Sequence, residues 1–184
     1  MQKLHKGSSF LRVWLSAWIA VSAYAGSQWL DVPYVQQRES TGCGSATIAM
    51  VMQYWLHQDA RVDPAAADYG HIYALLSPSP HVGLRGEALK AYFEDHGFSS
   101  YVFNGELRDL QNHIERGRPL VVCLDPRGAN ALFHYVVVVG VDASAVYFHD
   151  PARGKLLKED LKQFQHEWKA TGNWTLLAVP RTGR

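Results

Sequence analysis

Between Cys43 and His57 the chain carries apolar side chains at Ala46, Ile48, Ala49, Met50, Val51, Met52, Trp55 and Leu56. At helical spacing these cover most of the circumference, so the segment predicts a central helix buried nearly all round. Upstream, Trp29 to Val35 predicts a short extended lead-in, and Gln36 to Gly42 a loop. Downstream, Asp63-Pro64 has the form of an N-cap followed by proline in the first turn, and predicts a helix to about Leu76. Ser77-Pro78-Ser79-Pro80 breaks it. Gly86 to His96 predicts another helix closed by Gly97, and Leu107, Leu110 and Ile114 mark a fourth closed at Gly117.

The second half changes period. Pro119 to Leu124, Phe133 to Val141, Ala145 to Asp150 and Trp174 to Val179 are rich in valine and aromatics and predict strands. A turn near Asp142 to Ser144 joins the middle two as a hairpin, and Glu159 to Lys169 predicts a helix before the last strand. Helices first and antiparallel strands second predict an α+β fold, one domain in two lobes. If the hairpin turns where expected, Asp150 lies within a residue or two of His134. Successive strand side chains face opposite ways, so the neighbouring His149 points away from that site.

Composition narrows the function without naming it. At 184 residues, 47% apolar and 19% charged, the chain has room for one domain with a proper core. A formal net charge of +1, with no basic patch and no glycine-rich phosphate loop, points away from nucleic acid and anionic membrane surfaces. Residues 1–25 stand apart. Lys3, Lys6 and Arg12 precede the uncharged apolar stretch Val13 to Ala25, and Ala23-Tyr24-Ala25 offers small residues at a cleavage site. That is the form of a secretory signal peptide, too short for a comfortable membrane span. The expectation is an exported protein, periplasmic or extracellular, whose mature domain spans 26–184 and is not stably inserted in a membrane. An uncleaved signal anchor is the alternative.

The two cysteines differ in setting. Cys123 lies in Leu120-Val121-Val122-Cys123-Leu124, where a thiol serves as a small buried hydrophobe. Cys43 lies between Gly42 and Gly44 at the start of the central helix, where the dipole favours a thiolate. A native disulfide between them is not expected. Nine histidines fall at spacings without a His-Glu-x-x-His or paired-cysteine motif, so neither a metal nor a cofactor is expected.

A thiol nucleophile needs a base, and the base needs a partner to hold its tautomer. His134 opens the valine strand and Asp150 closes the next one. An amide in the preceding loop can curl back toward the thiol and donate to a developing oxyanion. Gln36 and Gln37 both stand there, and spacing alone does not choose between them. Gly42 is expected to let substrate approach the backbone closely.

In this arrangement, Gln37-(five residues)-Cys43-Gly44-Ser45-Ala46, Phe133-His134-Tyr135-Val136-Val137-Val138 and His149-Asp150-Pro151-Ala152-Arg153-Gly154 resemble the peptidase C39 domain, the bacteriocin-processing group of papain-like cysteine peptidases. The resemblance runs from about Asp31 to Pro180. It implies a papain-like fold, with a helical lobe around a central helix followed by an antiparallel sheet lobe. It implies Cys43 as nucleophile, His134 as general base, Asp150 as its orienter and Gln37, rather than Gln36, as oxyanion donor. Leader-processing members often carry an aspartate just before the cysteine and continue into a transporter. Here Ser40-Thr41-Gly42 precedes the thiol and the sequence ends at Arg184. The resemblance is therefore to stand-alone, exported C39-like members. It implies a peptide or protein substrate, leader or exported peptides among them, and association with an export system. An amidase or acyltransferase on the same fold, and a catalytically silent peptide-binding module, are the alternatives.

Overall fold

The computed structural model describes residues 29–58, 61–126 and 133–181. The expected signal peptide, residues 1–25, and the expected mature start at Gly26 lie outside the described residues. No described helix is long and apolar enough to cross a membrane.

The central helix, α1, spans Cys43–His57, as its apolar pattern predicts. A short 3₁₀ turn at Pro64–Ala67 leads to α2 (Tyr69–Leu76), and α3 (Gly86–Asp95) follows. Then come β1 (Phe98–Asn104), α4 (Leu107–Glu115), β2 (Leu120–Leu124), β3 (His134–Val141), β4 (Ala145–Asp150) and β5 (Gly154–Asp160). Helix α5 (Leu161–Lys169) and β6 (Trp174–Pro180) complete the described chain. The strands form one antiparallel sheet in the order β1-β6-β2-β3-β4-β5.

Each face of the sheet has its own core. Val121, Cys123, Tyr135, Val137, Val139, Leu176 and Ala178 pack against α1, α2 and α3. The alternate residues Val122, Val136, Val138, Val146, Phe148 and Leu177 pack against Leu110 and Ile114 of α4 and Phe164 and Trp168 of α5. Strands β2 and β3 are covered on both sides, which is why they read as unbroken apolar runs and not as alternating ones.

Three differences from the expected elements have local causes. The helix expected from Asp63 to Leu76 is interrupted at Asp68, which takes an extended conformation and caps α2 by accepting from the His71 amide at 2.8 Å. Helix α5 starts at Leu161 and not at Glu159, because Asp160 is its N-cap and Glu159 belongs to β5. Strands β1 and β5 were not expected. They are the two sheet edges, and their Ser, Asn, Lys, Glu and Asp content, usual for edges, hides the apolar signal. The β3–β4 hairpin turns where expected, with Asp142 Oδ1 accepting from the Ser144 and Ala145 amides.

Candidate active site

Cys43 is the first residue of α1, behind Gly42 as N-cap, and is buried but for an opening into a cavity of about 560 Å³. Gln37, His134 and Asp150 line the same cavity. The structure thus brings together all four residues singled out in the sequence.

The loop before Cys43 is clamped from two sides. The Gln37 amide donates to the Pro151 carbonyl at 3.0 Å, and the Tyr34 hydroxyl donates to the Asp150 carbonyl at 3.2 Å. From α2, the Tyr69 hydroxyl donates to the Glu39 carboxylate and accepts from the Arg38 amide at 3.1 Å. The Tyr69 oxygen explains Gly42. A Cβ at Gly42 would run into it, and the hydroxyl is held by Glu39 and Arg38, so any larger residue here would have to displace it. Close approach of substrate, the reason expected from sequence, is not needed to account for the glycine. Tyr69 itself carried no signal in the sequence beyond its place after Asp68.

His134 opens β3 and Asp150 closes β4. The His134 Nε2–H donates to Asp150 Oδ1 at 2.7 Å, which leaves Nδ1 as the free ring nitrogen. Asp150 is almost wholly buried, and Oδ1 also accepts from the Ala152 and Arg153 amides at 2.8 and 3.1 Å. Three donors hold the carboxylate in place. Burial alone would lower the His134 pKa, but the hydrogen bond to Asp150 and its charge, with the Cys43 side chain nearby, push it up to about 9. Burial raises the Asp150 pKa, yet His134 and the two turn amides hold it below the ordinary carboxylate value.

A β-bulge makes the contact of His134 with Asp150 geometrically available. Near the turn, Val141 lies opposite Val146 and Gly140 opposite Tyr147. Beyond the bulge, Val138 lies opposite Phe148 and Val137 opposite His149, so Val139 is the extra residue. Without it Asp150 would lie opposite Val137 and share the wrong face. With it Asp150 lies opposite Val136 and shares the face of His134.

His149 is turned away from the cavity. It is buried, and its Nδ1 accepts from the Leu156 amide at 3.1 Å, so Nε2–H donates to the Val32 carbonyl at 2.9 Å. Burial lowers its pKa and keeps the ring neutral. Gln37 Nε2 donates to the carbonyls of Glu39 at 3.0 Å and Ser40 at 3.3 Å. The side-chain amide therefore staples the loop that carries Cys43. Gln37 Oε1 is buried without a partner.

Both cysteines are free thiols. Cys123 lies in β2 opposite Tyr135, and burial, with the charge of Cys43, pushes its pKa up to about 12. No three His, Cys, Asp or Glu side chains gather as a metal-binding set among the described residues. A second cavity of about 520 Å³, lined by Cys123, Tyr135 and Trp174, shares the exposed Val82 and Phe133 with the first. Sequence reasoning missed this rim and also Arg153, Glu159 and Glu167, which line the first cavity. Arg153 stands in the quoted His149–Gly154 motif, but nothing in the local pattern gives any of the three a place in the cavity, because they converge from the β4–β5 turn, β5 and α5.

A buried-thiol helix packed on an antiparallel sheet, with a histidine–carboxylate pair at the strand ends, is the arrangement of the papain-like cysteine peptidase fold. The chain belongs to the Peptidase_C39 like family, whose model matches residues 29–176. Solved structures share the fold. A double glycine motif protease from an AMS/PCAT transporter, solved with its leader peptide, superposes with a TM-score of 0.63 at 20% identity, over 83% of this chain and 94% of that one. The peptidase domain of Streptococcus ComA, a bi-functional ABC transporter involved in quorum sensing, gives 0.64 at 19% identity, over 80% and 98%. The corresponding Streptococcus mutans ComA domain gives 0.55 at 18% identity, over 80% and 98%. No curated protein matches the chain significantly.

Proposed function

We propose that this protein is a cysteine peptidase in which Cys43 is the nucleophile, His134 the general base and acid, and Asp150 the residue that orients His134. The observation that carries the reading is the buried His134–Asp150 hydrogen bond of 2.7 Å, in the cavity that Cys43 also lines. Cys43 attacks a peptide carbonyl carbon as the thiolate, its proton already held on His134 Nδ1, as the raised His134 pKa favours. His134 then gives its proton to the departing amine and leaves a thioester. Water, deprotonated by His134, releases the acid and restores the thiol.

The α1 N-terminus supports the oxyanion, because the first backbone N–H groups of a helix have no intrahelical acceptor. Gln37 is the second donor in this reading. It serves only if one of its amide hydrogens leaves the Glu39 or Ser40 carbonyl when the intermediate forms, and active-site hydrogen bonds of this kind often reach catalytic geometry only with substrate bound.

The substrate is a peptide, processed during or after export. Two of the similar structures support this, one holding a leader peptide and one being part of an ABC transporter. The N-terminal signal pattern supports a site of action outside the cytoplasm. Amino-terminal sequencing of exported protein should begin near Gly26, and Met1 on that material would point to an anchor.

The test is cleavage of a quenched-fluorescent peptide library by the parent and by Cys43→Ala. Cleavage by the parent alone supports the peptidase. Turnover that survives in Cys43→Ala, or binding of peptides without any cleavage, would overturn it. The second outcome would leave a silent peptide-binding module.

A further inference from the structure

The catalytic cavity has a wall that the proposed chemistry does not use. Glu159 of β5 and Glu167 of α5 both line it. Glu167 is 5% exposed. Its Oε1 accepts from Gln163 Nε2 at 2.6 Å, while its Oε2 is buried with no partner. Glu159 Oε2 is likewise buried and unpartnered. Asp125, itself buried, donates its backbone amide to the Glu167 carbonyl at 3.1 Å and holds a third carboxylate oxygen without a partner. Buried carboxylate oxygens ordinarily find hydrogen-bond donors, and leaving them bare is costly.

The charges nearby do not cancel this wall. Asp150 is occupied by His134 and the turn amides. The one described cationic side chain in the lining, apart from His134, is Arg153. It is mostly exposed, and its Nε lies 3.8 Å from Asp150 Oδ2. Burial, reinforced by the charge of Glu167 and only partly offset by that of Arg153, raises the Glu159 pKa, as expected for two carboxylates sharing one desolvated space. No three of these groups come together as a metal-ligand set among the described residues. Two converging acceptors beside an open cavity suit an organic cation with several N–H donors.

We propose that Glu159 and Glu167 form a specificity subsite that takes a cationic group of the peptide substrate, a lysine or arginine side chain or a free α-ammonium, beside the Cys43 thiol. The subsite rests on the reading that the cavity holds peptides. It goes beyond it by naming the residues that select them.

The experiment uses the purified protein and quenched-fluorescent peptides with lysine or norleucine placed in turn at each position, each made with a free and an acetylated amino terminus. At one position lysine should be favoured over norleucine by about ten- to hundredfold in kcat/KM, the size of one hydrogen bond to a charged group, and chiefly through KM. Glu167→Gln and Glu159→Gln should each shrink that ratio, and the double variant should bring it close to one. A preference lost on acetylation assigns the α-ammonium, and one that survives assigns the side chain.

The same peptides, fluorescently labelled, are then titrated onto Cys43→Ala by anisotropy, with and without Glu167→Gln. If the parent cuts nothing but lysine peptides bind more tightly in a Glu167-dependent way, the subsite stands and the peptidase reading falls. If peptides are cut with a lysine-to-norleucine ratio near one at every position, the subsite falls and the peptidase stands. A preference unchanged in both glutamine variants also overturns the subsite. Circular dichroism checks that each variant folds, and Glu159→Gln alone decides if Glu167→Gln does not.

Discussion

His134 Nε2 and Asp150 Oδ1 lie 2.7 Å apart across a hairpin that carries one extra residue, Val139, on the His134 side. This contact raises the histidine pKa and leaves Nδ1 for Cys43. Most of the expected behaviour of the site follows from it.

Activity should fall on the alkaline side near pH 9, where the folded His134 loses its proton and can no longer protonate the leaving amine. The sign for stability runs the same way. A histidine whose folded pKa lies above its unfolded 6.5 contributes stability that is complete below 6.5 and disappears as pH rises through about 9. Asp150→Asn removes the carboxylate charge, so the alkaline limb of kcat/KM should move to lower pH. An unmoved limb would remove Asp150 from this role.

Alkylation should separate the two thiols. Cys123 is buried, with its pKa pushed up to about 12, so it should remain unlabelled by iodoacetamide at pH 8 in the folded protein. Mass spectrometry of the trapped protein should find one adduct, on Cys43. Cys43→Ala should abolish turnover, whereas Cys123→Ala should keep activity and lose stability, on the order of 1 kcal/mol for a small core truncation.

Gly42→Ala should disturb the site by pressing a new Cβ into the Tyr69 hydroxyl. A cost of about 1–3 kcal/mol is usual for overpacking of this kind. Tyr69→Phe removes the clashing oxygen, so the double variant should recover part of the activity lost by Gly42→Ala, although it gives up the bond to Glu39. No recovery would place the glycine's importance elsewhere.

Gln37→Ala separates a loop staple from an oxyanion donor. Loss of a side-chain oxyanion donor costs about a hundred- to a thousandfold in kcat. Loss of the staple alone would slow Cys43 alkylation in the free protein, since the Glu39 and Ser40 carbonyls would be released. A fall in kcat with unchanged alkylation supports the donor. Gln36→Ala should be mild in both measurements.

His149→Ala should be a stability variant. Its ring joins the Val32 carbonyl to the Leu156 amide in the core, so truncation should cost about 1–3 kcal/mol for the polar groups left unpaired. Because its folded pKa is depressed, its contribution is present above the unfolded value of 6.5 and is lost as pH falls through the folded value. The acid side of a thermal-melting profile should therefore flatten in the variant.

Residue types and local periodicity were enough to determine several features of this protein. The apolar circumference of Cys43 to His57 defined α1, the valine runs defined β2 and β3, and glycines at positive φ closed α3 and α4 at Gly97 and Gly117. The nearness of His134 to Asp150 was also legible, because a short hairpin brings the far ends of its two strands together, but that the two side chains share a face was not. Edge strands β1 and β5 were not legible, since only one side of an edge strand is paired and its composition is polar. Nor was the bulge. Four successive valines, Val136 to Val139, give no sign of which one is extra, and only packing of both sheet faces against their helices selects the register. Tyr69 against Gly42, and Glu159 beside Glu167 at the cavity wall, join segments far apart in the chain. Such contacts depend on the free energy of the whole packed arrangement, which local patterns do not record, so the tertiary structure alone decided them.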